Sequence, residues 1–169
     1  IEVSANARAI AETLYSKQER EFHYCAIEIL IKELQGNYTK KDIEFIEKLI
    51  ITNSWWDSVD TIAKYILGTY LMEFPAEIDS VINGFSGSEN KWLNRSAILF
   101  QLGYKGKTNF DLLKEICKKH QDSKEFFIQK AIGWALRDYS RFNPNGVREY
   151  VNATNLKPLS QREALRNLK

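Results

Sequence analysis

The stretch Ser54-Trp-Trp-Asp-Ser-Val-Asp60 sets two tryptophans beside two carboxylates three residues apart. A carboxylate next to an indole suits proton transfer, or electrostatic stabilisation of a cationic centre lying against the ring face. The spacing gives the two acids different work. Ser54 and Asp57 match a capping box, in which a hydroxyl and a carboxylate three residues apart satisfy the free amides of a first helical turn, so Asp57 reads as a capping residue. Asp60 has no such task. At 100° per residue Val59, Ala63, Ile66, Leu67 and Tyr70 form an apolar stripe, and Trp56 and Asp60, four apart, share its edge. That position predicts a half-desolvated carboxylate beside an indole. On this helix alone two roles stay open for Asp60, catalysis and a salt bridge to Lys64.

A second stretch, Ser123 to Phe142, buries Ile128, Ala131, Ile132, Ala135, Leu136 and Tyr139 on one helical face. On the other face Lys130, Trp134, Arg137 and Arg141 follow at i, i+4, i+7 and i+11. Cations interleaved with a tryptophan suit phosphate contact plus stacking on a sugar or base. This reading is favoured over a plain charged surface, or a tryptophan packed on a neighbouring element. A third stretch, Glu89 to Lys107, places Trp92 and Arg95 one turn apart and ends on Lys105 and Lys107. Arg95 can hold a phosphate near an active carboxylate; the competing role is a surface ion pair with Glu89 or Asp111. His23 and His120 are isolated and read as packing or surface residues. Gly84-Phe-Ser-Gly-Ser88 lacks the lysine and spacing of a phosphate loop.

These residues need elements to position them, and the pattern is helical throughout. Periods of 3.6 recur while alternating strand patterns are nearly absent, so the expected fold class is all-α. Helices are expected at about 5–16, 18–35, 40–52, 55–72, 75–84, 89–103, 109–120, 124–142, 144–153 and 159–168. Thr39/Asp42 and Ser160/Glu163 match further capping boxes, and Pro75, Pro144 and Pro158 fall at helix starts, where a missing N–H is harmless. Short connections imply antiparallel pairs stacked side by side. Trp56, Trp92 and Trp134 recur near the ~40-residue period of HEAT-type arrays, which favours a HEAT-like α-solenoid over a compact bundle.

The chain has 169 residues, 44% hydrophobic, 27% charged and 12% aromatic, which suits one soluble domain over 1–169 with its own core. Its net charge of +2 permits a nucleic-acid partner without demanding one. Cys25 and Cys117 lie in apolar helical patterns and read as buried thiols of a reducing compartment. No metal-ligand cluster is seen, so chemistry without metal or cofactor is expected. No apolar run approaches the about 18 residues of a membrane span. A cytoplasmic monomer is the expectation. The chain begins at Ile1 and its one methionine is Met72, so the natural N-terminus is expected to lie before Ile1.

The segments SWWDSVD, WLNRSAILFQLGYK and SKEFFIQKAIGWALRDYSRFNP together closely resemble the AlkD family of bacterial alkylpurine DNA glycosylases, which are HEAT-like repeat proteins. The resemblance runs from about Phe22 to Ala164. It implies that Asp60 is the catalytic aspartate, Trp56 and Trp134 its aromatic companions, and Arg95 a DNA-contacting arginine. It implies double-stranded DNA carrying alkylated purines as substrate, and a lesion contacted through the backbone without a base pocket. An N3- or N7-alkylated purine is already cationic and leaves as a neutral base, so one aspartate can suffice where glycoside cleavage generally needs two carboxyl groups. Lys130, Arg137, Arg141, Lys105 and Lys107 are then the expected phosphate contacts. The rival expectations are a HEAT-like module that only binds damaged or branched DNA, and a protein-binding scaffold.

Overall fold

A computed structural model describes residues 3–168, and among them the regular structure is helical. Helices come as consecutive pairs: α1 (Val3–Tyr15) with α2 (Arg20–Leu34), and α3 (Asp42–Ile51) with a longer rod. That rod begins as α4 (Trp56–Thr61), widens to a π-helix over Ile62–Leu67 and finishes as α5 (Gly68–Glu73). Three more pairs follow: α6 (Ile78–Gly87) with α7 (Lys91–Leu99), α8 (Phe110–Lys119) with α9 (Phe126–Tyr139), and α10 (Pro144–Ala153) with α11 (Pro158–Leu165). The second helices of the pairs pack in sequence as one row, α2 on α4, α4 on α7, α7 on α9 and α9 on α11. The all-α repeat-like fold expected from the helical periodicity is the fold observed.

The repeat length is written in the bonds between pairs. Second helices start at Arg20, Trp56, Lys91, Phe126 and Pro158, at intervals of 32 to 36 residues. Cross-pair hydrogen bonds span the same distance: Tyr15 Oη donates to the Leu49 carbonyl 34 residues on, Tyr104 Oη to Gly68, and Tyr150 Oη to the Lys114 carbonyl 36 residues before it. The period is therefore near 35, shorter than the tryptophan spacing suggests. Trp56 and Trp92 sit in the first turns of their helices, whereas Trp134 lies in the third turn of α9, so the three rings do not mark one repeat position.

The apolar stripe of the 56–73 rod is buried as its spacing predicts: Val59, Ala63, Ile66, Leu67 and Tyr70 are fully enclosed. Burying five such side chains contributes on the order of 10 kcal/mol before conformational entropy is charged against it. Close approach elsewhere depends on missing side chains. A Cβ on Gly133 of α9 would lie 2.4 Å from Glu163 Cβ of α11. One on Gly68 would lie 2.5 Å from the Phe100 carbonyl.

Helix starts behave differently from their motifs. Side-chain caps come from Asn90, Asn109 and Asn143, which accept from the amides of Trp92, Leu112 and Gly146. None of these was part of a capping-box match. Of the three boxes, only Thr39/Asp42 works in part, with the Asp42 carboxylate accepting the Thr39 amide at 2.6 Å. Ser54 instead donates back to the Ile50 carbonyl, and Asp57 turns to Arg20 and Tyr24 of α2. Ser160 donates to the Gln129 carbonyl and Glu163 turns to α9. At Asp57, Ser160 and Glu163 cross-helix partners outcompeted local capping. The prolines do start helical turns, Pro75 a 3-10 turn and Pro144 and Pro158 the helices α10 and α11. Cys117 is buried as expected but Cys25 is exposed, so the apolar pattern of α2 misplaced it. Among the described residues no helix is long and apolar enough to cross a membrane.

Candidate functional site

Asp60 occupies the second turn of α4, one turn after Trp56, and the π-helix opens two residues later. Such a bulge inserts one residue per turn and frequently accompanies a functional site, because it changes the angle at which preceding side chains project. Asp60 is only 7% exposed, deeper than the half-desolvated position its stripe-edge location predicts. Its partner is not Lys64, whose ammonium lies 4.5 Å from the Tyr65 ring centroid. Arg95 of α7, one repeat on, donates from Nε to Oδ1 at 2.6 Å and from Nη2 to Oδ2 at 2.8 Å. The two parallel bonds form the fork-on-carboxylate pair that fixes both planes.

Arg95 is itself 4% exposed, and Nη1 donates to the Phe127 carbonyl. This corrects the expectation of an arginine holding a phosphate, and equally the alternative of a surface pair with Glu89 or Asp111. The guanidinium fork is already engaged, so Arg95 orients Asp60. Burial pushes the Asp60 carboxyl above the ordinary carboxylate range; the hydrogen bonds and charge of Arg95 pull it back, and the nearby Asp57 charge adds to the rise.

The buried Asp60 and Arg95 line a cleft of about 400 Å³ together with Trp56, Phe126, Phe127, Trp134, Lys130, Arg137 and Glu163. Trp56 is 54% exposed at the rim. Phe127 is supported from behind by Trp92, ring centroids 5.1 Å apart, and its own ring faces the Arg95 guanidinium at 5.8 Å. Six residues named from sequence spacing, Trp56, Asp60, Arg95, Lys130, Trp134 and Arg137, thus meet in one place.

The expected cation stripe divides in two. Lys130 and Arg137 are half-buried and share one acid: Lys130 Nζ lies 3.1 Å from Glu163 Oε1 and Arg137 Nη1 lies 2.7 Å from Oε2. One carboxylate thus engages both cations and offsets one of their two charges, a correction to the picture of two free phosphate contacts. These bonds from Lys130 and then Arg137 hold the Glu163 carboxyl below its ordinary range. Arg141, Lys105 and Lys107 are exposed and lie outside the cleft lining. The turn bearing Lys105 and Lys107 is tied beside α9, since the Gly103 amide donates to Asp138 Oδ2 at 3.0 Å. Lys105 there adopts a left-handed φ of 59°.

Sequence reading missed Phe126, Phe127 and Glu163. One signal for Glu163 existed. Asp60, Arg95, Lys130 and Glu163 follow at one-repeat spacing along the second helices, and side chains at that spacing face each other across successive interfaces. His120 accepts or donates a 2.9 Å bond with Ser86, and His23 sits buried against Tyr15, so both histidines are packing residues. Among the described residues no group of His, Cys, Asp and Glu is arranged to hold a metal.

The fold and the chain's sequence have known counterparts. A search of curated proteins found no match. Among solved structures, one described as a predicted DNA alkylation repair enzyme from Enterococcus faecalis superimposes with a TM-score of 0.88 at 36% identity, covering 97% of this chain and 76% of that one. The structure of smu.31 from Streptococcus mutans UA159 superimposes with a TM-score of 0.75 at 16% identity, covering 98% of this chain and 85% of that one, which speaks to the fold alone. The family described as DNA alkylation repair enzyme matches residues 1–168. The helical repeat fold, the cleft and this match over nearly the whole sequence agree, and the chain belongs to the DNA alkylation repair enzyme family.

Proposed function

We propose that the chain is a monofunctional DNA glycosylase that hydrolyses the N-glycosidic bond of cationic N3- and N7-alkylpurines in duplex DNA and leaves an abasic site. The observation that carries this reading is the buried Asp60 carboxylate, fixed by Arg95 in a cleft that two indole rings also line. The glycosidic bond breaks with its electron pair passing to the purine, whose positive charge is thereby discharged. The sugar left behind is an oxocarbenium ion, and Asp60 and the faces of Trp56 and Trp134 are the groups that stabilise it. Water then attacks the anomeric carbon and yields its proton towards Asp60, whose oxygens each keep a lone pair beyond the bond to Arg95. Arg95 keeps the carboxylate ionised and aimed.

The walls are aromatic rings and charged groups already paired with one another, a lining poor in groups that would read a base edge. That supports contact with the lesion's sugar rather than capture of a flipped base. Selectivity then follows from the lesion's own lability. Among the described residues the one lysine lining the cleft, Lys130, is engaged by Glu163, so hydrolysis without a Schiff base or strand cleavage is the expected course. Phosphate contact falls to the exposed Arg141, Lys105 and Lys107.

The test is release of free base from duplex DNA holding a single 7-methylguanine, 3-methyladenine or uracil. Release of the two methylated bases, with an intact strand carrying an abasic site, is expected. Efficient uracil release would refute the lability argument. Tight binding to damaged or branched duplex with no release of any base would instead identify a module that only binds DNA.

A further inference from the structure

The cleft holds a second buried carboxylate, one that a site for a polyanion would be expected to avoid. Glu163 is 7% exposed and lines the same cleft as Asp60. Several features of the fold bring it there. Gly133 lets α11 approach so closely that a Cβ would collide with Glu163 Cβ, Ser160 Oγ donates to the Gln129 carbonyl at 2.9 Å, and Pro158 starts the helix. These contacts already dock α11 onto α9 without an acid in the cleft. The carboxylate instead occupies Lys130 and Arg137, which share the cleft lining with Trp134.

We infer that Glu163 is a specificity-determining residue: it holds Lys130 and Arg137 so that a backbone phosphate of undamaged DNA finds no free cation at Trp134, leaving the cleft selective for a cationic nucleotide. The inference rests on the reading of the cleft as the alkylpurine site. Five charged groups line the cleft, Asp60 and Glu163 against Arg95, Lys130 and Arg137, and each acid is matched to its base or bases at hydrogen-bond distance. A phosphate entering this wall must break the clasp on Glu163 and stand beside its carboxylate. With three bases against two acids the lining keeps one net positive charge, so a cationic base gains nothing from bulk charge; what it avoids is the need to break the clasp. Ordinary duplex is thereby left to the exposed Arg141, Lys105 and Lys107, which permit sliding, while the cleft engages only where the base carries charge.

The test is duplex affinity as a function of salt. Glu163→Gln keeps volume and shape, and frees two cations. Undamaged duplex should bind roughly tenfold or more tighter at 0.1 M salt, with a log–log salt slope steeper by about one for each freed cation. Preference for a 7-methylguanine duplex over undamaged duplex should fall by the same factor. Unchanged or weaker binding to undamaged DNA, with an unchanged slope, would overturn the inference. In a Lys130→Met background the same substitution frees Arg137 alone, so the gain should shrink; an undiminished gain would mean that Glu163 acts by bulk charge and not by holding these cations. Acetylation of lysines in the wild-type protein needs no variant to fold. Undamaged duplex should protect Lys105 and Lys107 and leave Lys130 as reactive as in the free protein, and protection of Lys130 would also overturn the inference. All these readings except the preference ratio use undamaged DNA, so they succeed or fail whether or not the wild type releases a methylated base.

Discussion

Asp57 and Asp60 stand three residues apart on α4, and each is held by an arginine from a neighbouring second helix, yet the two pairs are physically unlike. Asp57 reaches back to α2, where Arg20 Nη2 contacts both its oxygens at 2.7 Å and the Tyr24 hydroxyl donates at 2.7 Å. That pair is open to water, and Arg20 stacks over the Trp55 ring at 4.5 Å. Asp60 reaches forward to α7 and is enclosed with Arg95. Desolvation acts on both carboxyls. At Asp57 the bonds from Tyr24 and the backbone and the charge of Arg20 outweigh it and hold the group below its ordinary range, whereas at Asp60 burial wins and the group rises. Similar ion pairs thus come out as a solvated tie at one repeat interface and a strained, desolvated acid at the next. The helix turns the second of them into a cleft.

Breaking each pair should separate them most sharply. Arg95→Ala leaves a buried, uncompensated carboxylate and should lower unfolding free energy by about 3–5 kcal/mol. Replacing both partners, as in Asp60→Leu with Arg95→Met, removes the orphan charge and should recover most of that stability while activity stays lost. Equal stability of the single and double variants in denaturant titrations would show that the pair is not the buried unit described above. Next in size is catalysis itself. Asp60→Asn should slow methylated-base release by roughly two orders of magnitude, as loss of one preorganised electrostatic group does elsewhere, while Asp57→Asn should leave the rate within a few-fold of wild type. A slow Asp57 variant beside an unimpaired Asp60 variant would reverse the assignment.

The two acids should also carry opposite pH signatures. A carboxyl whose folded pKa is lowered stabilises fully above its unfolded pKa and loses that contribution as pH falls through the folded value; Asp57 is this case. A carboxyl whose folded pKa is raised binds its proton more readily when folded, so its contribution grows as pH falls from the raised value towards the unfolded one; Asp60 is this case. Stability measured across the acid range should therefore converge between wild type and Asp57→Asn on acidification, and shift in wild type's favour relative to Asp60→Asn. Base release should show an acid limb above the ordinary carboxylate range, because Asp60 must be ionised to act. An acid limb below that range would assign it to another group.

What could be read in advance follows the same division between local and cross-repeat information. The stripe from Val59 to Tyr70 and the face from Ile128 to Leu136 are buried as their 3.6-residue spacing requires, since one helix suffices to define its own faces. The neighbours of Asp60 were another matter. Lys64 was the local candidate, but the pairing partner is 35 residues away, and only the register of α4 against α7 decides it. Contacts with α2 and α9 likewise took Asp57, Ser160 and Glu163 away from the capping roles that three-residue spacing suggests, while Ser54 bonds the Ile50 carbonyl four residues back. Trp134 lines the same cleft as Trp56 and Asp60, whereas Lys130 and Arg137 are engaged by an acid on another helix, which the pattern of α9 alone does not show. The π-turn after Asp60 left no trace in composition or period.

The smallest expected effect completes the comparison. Arg20→Ala breaks a solvated pair whose acid keeps the Tyr24 hydroxyl and water as partners, so it should cost no more than about 1 kcal/mol of stability. Part of that small loss should come from the Trp55 ring losing its guanidinium, and Arg20→Lys, which keeps charge without a planar fork, should recover only part of it. Raised salt should shrink the wild-type advantage over Arg20→Ala, because exposed charges are screened, and leave the penalty of Arg95→Ala almost unchanged. A salt-insensitive Arg20 penalty of several kcal/mol would mean that the α2/α4 interface is as dry as the α4/α7 one, and that burial alone does not explain why only Asp60 lies in a cleft.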